Sequence, residues 1–355
     1  MQIQVGMSRL VLGTRLHRML QWLLWFVAAF SLLQSFSLAQ QTLVLVGSGS
    51  SVPAPLYAKW AEQYNQRNPN IQIRYVALGT SEGLTQISKG IGDYAAGEVP
   101  LSTVGSIGDN LVAMPSVLIA IVPIYNLPDV HGELRFSGEV LADIFMGQVK
   151  NWNAAAITKL NPGVSMPNLP IKVVHRPAGK GSNYIFTEFL SKSSAKFKSE
   201  IGTSPSPKWP VGVSGERSSD MVQKVKSEPG SIGYVEVQYA VQQNIPYGSV
   251  LNRAGHFIKA NDKSITAACN AAESPNWNRF SASLINASGG DSYPITSFTW
   301  LYLRTKSAGS ARTTAMNDYL KWVYTQGQRI ADQEGYSELP PAMLEKVKGK
   351  VGTLQ

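Results

Sequence analysis

Cysteine is almost missing from this chain: its 355 residues include one, Cys269. A single thiol forms no internal disulfide, so the fold rests on a packed core. Cys269 sits in Ala267-Ala268-Cys269-Asn270-Ala271-Ala272 and reads as a small apolar helix position, not as a catalytic nucleophile. Histidine is scarce as well, four in all. Beyond the N-terminal segment, His131, His175 and His256 fall at no His-x-x-His or similar spacing and join no compact acidic cluster. No metal site and no cofactor are expected. Blocks of like charge are absent too. Lys and Arg number 32 against 23 acids, a net +9, but the excess is spread along the chain. That argues against a dedicated nucleic-acid binder while helping to attract an anion. There is no repeat of fixed period and no long low-complexity stretch.

The N-terminus lacks a full membrane span. Its apolar run, Met19 to Leu33, is shorter than the roughly 20 residues a spanning helix needs. Arg9, Arg15 and Arg18 precede it, and Ser37-Leu38-Ala39 offers a small-x-small cleavage site after it. This is the layout of a secretory signal peptide over residues 1–39. An uncleaved anchor is the alternative, and no Cys follows the run to carry a lipid. Removing three arginines and no acid leaves 29 basic and 23 acidic residues, a net +6. The expected destination is the periplasm. An extracellular or eukaryotic secretory one is the alternative, and only there would the Asn286-Ala287-Ser288 sequon matter.

What the chain has is a recurrent unit: an apolar strand, a turn of Gly, Ser or Thr, then an amphipathic helix. Leu43–Val46 leads into Gly47-Ser48-Gly49-Ser50-Ser51. Ile71–Val76 leads into Gly79-Thr80-Ser81. Ile171–Arg176 leads into Gly179-Lys180-Gly181-Ser182. Free N–H groups and the positive dipole end at a helix start make each turn a potential anion cradle. A Ser or Thr before a helix is most often only an N-cap. Three such turns, one beside Arg176, point further, to a buried site for a small oxyanion. The last turn lacks the Gly-x4-Gly-Lys-Ser/Thr spacing of a nucleotide loop.

Strands alternating with helices predict an α/β fold with a mostly parallel sheet. Helices are expected from Pro53, with Leu56, Trp60 and Tyr64 inward, and after Thr80, with Leu84, Ile87 and Ile91 inward. Others are expected over Ala315–Thr325 and Pro341–Gly349. Two long apolar segments, Val117–Tyr125 and Ile295–Leu303, read as crossings between lobes, with hinge strands placed at 117–126 and 293–303. The implied division is 40–121 plus 298–355 for lobe I and 122–297 for lobe II, with a cleft at the carboxyl ends of the strands.

The chain resembles the phosphate-binding protein of the high-affinity phosphate ABC transporter, the PstS type. The likeness is carried by Gly47-Ser48-Gly49-Ser50-Ser51-Val52-Pro53-Ala54-Pro55-Leu56-Tyr57-Ala58-Lys59-Trp60, Pro100-Leu101-Ser102, Trp152, Ala156–Gly163, Lys208-Trp209-Pro210, Gly233-Tyr234-Val235-Glu236 and Tyr293–Ser297. These occur in the family's order over roughly residues 43–345. The resemblance implies a two-lobed periplasmic-binding-protein fold of type II with two hinge crossovers. It implies a monomer that closes on one inorganic phosphate, does no chemistry on it and serves a membrane permease. The family's site then falls on the Ser51 hydroxyl, the Val52 amide, Thr80, Glu98, Arg176, Gly181 and Ser182.

Three positions depart from the family. Its acid in an Asp-Ala-Pro-Leu-Ser context is Glu98, followed by Val99-Pro100-Leu101-Ser102. A Ser is replaced by Lys180, and the Asp that orients the binding Arg by Ala178. A carboxylate only accepts hydrogen bonds, so it welcomes a P–OH and repels sulfate. Lys180 is a further candidate phosphate ligand, and is otherwise expected either to pair with Glu98 across the cleft or to point to solvent. Glu236 is expected in a hydrogen bond within its lobe or in transporter docking. Two other readings stand beside phosphate capture. One is a drifted binder of sulfate or an organic phosphate. The other is a phosphatase-like hydrolase using Ser51 or Thr80, for which no adjacent base or metal site is evident.

Overall fold

The computed structural model describes Trp22 and residues 42–272, 283–305 and 310–351. The expected signal peptide, residues 1–39, lies outside the described residues apart from Trp22. The chain divides into Met1–Thr42 and Leu43–Gln355, and the second unit holds the strands of the described residues and the site. No helix among the described residues is long and apolar enough to cross a membrane.

The strands are β1 Leu43–Gly49, β2 Ile71–Ala77, β3 Tyr94–Gly97, β4 Leu111–Tyr125, β5 Arg135–Phe136 and β6 Lys172–His175. They continue with β7 Val213–Ser214, β8 Ser231–Glu236, β9 Ser249–Leu251, β10 Phe257–Ile258 and β11 Thr296–Arg304. Eight form one sheet, in the order β2-β1-β3-β11-β4-β8-β6-β7, and β10-β9-β5 form a small second one. Both ends of the large sheet are parallel: β1 with β2 and β3, and β6 with β7 and β8. Parallel pairs need crossovers, which the helices Ala54–Arg67 and Thr80–Ser88 supply on the first side. The middle is antiparallel, with β4 between β11 and β8.

β4 organises the molecule. Its 15 residues, Leu-Val-Ala-Met-Pro-Ser-Val-Leu-Ile-Ala-Ile-Val-Pro-Ile-Tyr, are buried except for Val112, as suits a strand covered on both faces. Residues Leu111–Ala120 pair with β11, and Ile121–Tyr125 pair with β8. One strand thus serves two sets of neighbours, changing partner between Ala120 and Ile121. The expected crossing began at Val117, but the strand begins at Leu111. Pro115 looks like a breaker, yet it sits where the register against β11 shifts, a place that asks no ladder hydrogen bond of it. Ser116, the extra residue there, bonds Tyr57 Oη at 2.7 Å and donates to the Thr299 carbonyl at 2.9 Å. The second crossing begins at Thr296, with Tyr293 and Ile295 buried just before it.

Other boundaries shift for local reasons. The helix from Thr80 ends at Ser88, so Leu84 and Ile87 are buried while Ile91 lies beyond it and is exposed. The helix expected over 315–325 runs from Ser310 to Trp322, widens into a π-helical turn at Val323–Gly327 and resumes at Gln328–Gln333. Gly327 offers its carbonyl to the buried Trp60 indole at 2.7 Å. Truncating a buried Trp of this kind costs ~3–5 kcal/mol. Cys269 is buried in the helix Asp262–Ala271, where burial pushes its thiol up to about 12, so it stays protonated and inert.

Candidate functional site

The site lies where the turns after β1, β2 and β3 meet the turn after β6. Parallel strands direct these turns to one edge, the carboxyl ends of the sheet. Gly79 has φ +101°, a conformation open to glycine, and swings the chain from β2 into the helix that begins at Thr80. The amide of Ser81 donates to the Gly179 carbonyl at 3.3 Å, joining the second turn to the third.

Arg176 follows β6 and is 2% exposed. Its Nη1 donates to Ser218 Oγ at 2.9 Å, and its Nη2 donates to the Glu216 carbonyl at 3.0 Å and to Ser51 Oγ at 3.1 Å. Its own amide donates to Tyr234 Oη at 3.1 Å. The guanidinium is therefore held by neutral groups. Arg176 Nε and Ser182 Oγ are both buried and make no hydrogen bond among the described residues. Buried donors in that state are costly, about 1–3 kcal/mol each, unless an acceptor meets them.

Glu98 stands opposite, fully buried. Thr80 Oγ1 donates to its Oε2 at 3.0 Å and Thr299 Oγ1 to its Oε1 at 3.2 Å. Tyr302 pins the next residue, donating to the Val99 carbonyl at 2.7 Å and accepting from the Val99 amide at 3.1 Å. Burial pushes the Glu98 carboxyl up to about 7, against the pull of the hydrogen bonds from Ser50, Thr80 and Thr299 and with a smaller push from Glu236. Gly181 lies against this carboxylate. A Cβ there would come within 1.7 Å of Glu98 Oε2 and 2.7 Å of Thr80 Oγ1, so only glycine permits the approach.

Ser51, Thr80, Glu98, Arg176, Gly181 and Ser182 thus converge. Two expected participants behave differently. The Val52 amide points at Ser50 Oγ, 3.1 Å away, so its donor is already engaged. Lys180 takes neither of its expected courses: its ammonium pairs with the Glu216 carboxylate at the rim, not with Glu98 and not free in solvent. Glu236 corrects a further expectation. It is fully buried, so it is no docking surface, and neither carboxylate oxygen has a partner among the described residues. Thr299, Ser218 and Glu216 were not foreseen. A Thr between Phe298 and Trp300 in a buried strand is the one signal that could have exposed Thr299, because its hydroxyl must find a partner. Among the described residues no group of three or more His, Cys, Asp or Glu could hold a metal ion.

The arrangement is a cationic fork with an unbonded Nε, a spare hydroxyl on Ser182 and one acid, Glu98, buried together. It suits a small oxyanion that carries a proton. Comparison with known proteins agrees in fold and lineage. A model of the PBP superfamily domain matches residues 37–326. Phosphate-binding protein PstS of Xylella fastidiosa is 34% identical over 313 residues, covering 87% of this chain and 86% of its own. That of Pasteurella multocida is 34% identical over 320 residues, covering 90% and 93%. In three dimensions the chain is similar to a putative phosphate ABC transporter substrate-binding protein with bound phosphate from Clostridium perfringens. The TM-score is 0.62 at 16% identity, covering 84% of this chain and 100% of that one. The chain therefore belongs to the PBP superfamily and, within it, to the PstS family of phosphate-binding proteins.

Proposed function

We propose that the protein captures inorganic phosphate between two lobes and delivers it, as a monomer in the periplasm, to a membrane ABC transporter. The observation that carries this reading is the pairing of surplus buried donors on Arg176 and Ser182 with the buried acid Glu98 across the same cleft. Phosphate near neutral pH has both oxygens for the donors and a proton for the acid. Sulfate has only the oxygens. In this reading Ser51, Thr80, Arg176, Gly181 and Ser182 hold the ligand, Glu98 selects it and Val52 gives up its bond to Ser50 to join. Lys180 stays at the rim. Lobe I comprises 40–121 plus 298–355 and lobe II comprises 122–297. The partner change of β4 between Ala120 and Ile121 supports a hinge at that boundary. The relatives are named as binding proteins, in keeping with a site that does no chemistry on its ligand.

The test is calorimetry of the exported chain with phosphate and with sulfate at pH 8, joined to scattering with and without phosphate. Tight 1:1 binding of phosphate, weak sulfate and a compaction on binding are expected. Sulfate bound as tightly as phosphate would remove Glu98 from the selectivity argument, and superimposable scattering curves would remove hinge closure.

A further inference from the structure

A second cavity, of about 790 Å³, opens at the far edge of the large sheet, against β6 and β7 and away from the turns that meet at Arg176. Ligand pockets are usually of roughly 300–1,000 Å³, mostly apolar with few polar groups. This one follows that pattern. Ile144, Ile171, Val173, Val174, Val211 and Val213 give it apolar walls. Val213 is 56% exposed, an unusual cost for an edge-strand valine. β7 has only two residues and pairs with β6 only at Val174 and His175, so Lys172 and Val173 have no ladder partner in β7.

The charged groups of the lining are mostly cationic. Lys150, Lys172 and Lys224 line the cavity along with one acid, Glu228. Lys172 is already paired with Glu228. Lys150 and Lys224 make no ion pair among the described residues, so the lining carries two unmatched positive charges. Ser231 also lines the cavity. It is 1% exposed, and its hydroxyl has no hydrogen-bond partner among the described residues. A hydroxyl so deeply buried ordinarily has one. An apolar enclosure, two unmatched ammonium groups and an unused buried hydroxyl converge on one ligand chemistry.

We propose that this cavity is a second binding site, for an amphipathic anion consisting of an apolar chain and a single carboxylate. The chain lies against Ile144, Ile171, Val173 and Val211. The carboxylate accepts from Ser231 Oγ and is attracted by Lys150 and Lys224. The site is separate from the phosphate cleft, since no residue of this cavity takes part there.

The test is calorimetry of the wild type with sodium decanoate below its micelle-forming concentration, with decanol and octanoate as comparators and in saturating phosphate. Decanoate should bind 1:1, at least tenfold tighter than decanol. It should also exceed octanoate about fifteenfold, because each of the two extra buried methylenes contributes about fourfold. The double variant Lys150→Glu, Lys224→Glu should lose decanoate affinity at least tenfold, while its phosphate affinity and melting temperature stay near wild type. Ser231→Ala should weaken decanoate by a smaller factor. Absence of decanoate binding, equal affinity for decanol, or full binding by the double variant would each overturn the proposal. Displacement of decanoate by phosphate would also overturn it, since that would place the carboxylate in the phosphate cleft.

Discussion

The turns after β1, β2 and β3 and the turn after β6 face each other, and they are finished to different degrees. On the first side each polar group has its partner: Ser50 takes the Val52 amide, and Thr80 and Thr299 hold the two oxygens of Glu98. On the second side Arg176 Nε and Ser182 Oγ remain unbonded although buried. The contrast assigns different work to the two sides. A fully bonded acid is fixed in place and can screen a ligand by its proton. A side with donors to spare gains most when an oxyanion arrives, so the binding energy should come mainly from there. Under the proposed function, selection and affinity would thereby fall to opposite sides of the site.

The comparison breaks most completely at Gly181, where the two sides touch. Gly181→Ala would push a methyl group into Glu98 Oε2 and Thr80 Oγ1. On the proposed hinge motion, closure would then be blocked while an open arrangement would tolerate the methyl group. Phosphate affinity should fall at least a hundredfold, about 2.7 kcal/mol, with the melting temperature of the ligand-free protein little changed. Calorimetry and a thermal scan check this. A variant that binds normally would show that the two sides do not approach this closely in the bound state.

Arg176 tests where the affinity resides. Arg176→Ala removes the fork that reaches Ser51, Ser218 and the Glu216 carbonyl. We expect at least tenfold weaker phosphate binding, about 1.4 kcal/mol or more. Arg176→Lys should recover only part of it, because an ammonium keeps the charge but not the planar pair of donors. Full recovery in calorimetry would mean that charge alone matters.

This asymmetry was half visible in the sequence. The three Gly/Ser/Thr turns could be read there, because turn chemistry and apolar runs are local, whereas Glu98 was legible only through the resemblance. Thr299 could not be placed opposite Glu98, since 201 residues separate them and the antiparallel pairing of β11 with β3, Trp300 against Gly97, is what joins them. Nor could Glu216 be foreseen as the partner of Lys180, because it belongs to an irregular loop whose path is set by the packing around it.

Glu98 sharpens the comparison through pH. Its carboxyl titrates at about 7 in the folded chain against an ordinary 4.5. The folded state therefore holds a proton that the unfolded chain has released between those values. Stability should be greatest below about 4.5, fall as pH rises to about 7 and level off above it, by an amount of order 3 kcal/mol. Glu98→Gln should flatten that slope in urea melts between pH 5 and 8. Selectivity should follow the same titration. Above pH 7 the ionised acid rejects sulfate, whereas below it a protonated Glu98 can donate to sulfate. The wild-type preference for phosphate should therefore shrink from pH 8 to pH 5.5, and that of Glu98→Gln should be low throughout. A preference that is constant with pH in the wild type would separate the acid from selection.

The smallest effect is expected at Lys180, which the comparison places at the rim and outside both walls. Its ammonium is held by Glu216, whose side chain is 66% exposed, and exposed pairs of this kind contribute about 0–1 kcal/mol. Lys180 also leaves Glu98 un-neutralised, so it should not admit sulfate by cancelling that charge. Lys180→Ser, which restores the family's residue, should change phosphate affinity by less than about threefold and leave the phosphate-to-sulfate ratio unchanged. Its visible consequence should be kinetic: with one positive charge fewer at the mouth, association should slow modestly at low salt and match wild type at high salt. Stopped-flow traces at two ionic strengths and a competition titration decide the matter. A tenfold loss of affinity would bring Lys180 off Glu216 and onto the phosphate, adding a second cation to the donor side. A changed ratio would show that it reaches Glu98 after all.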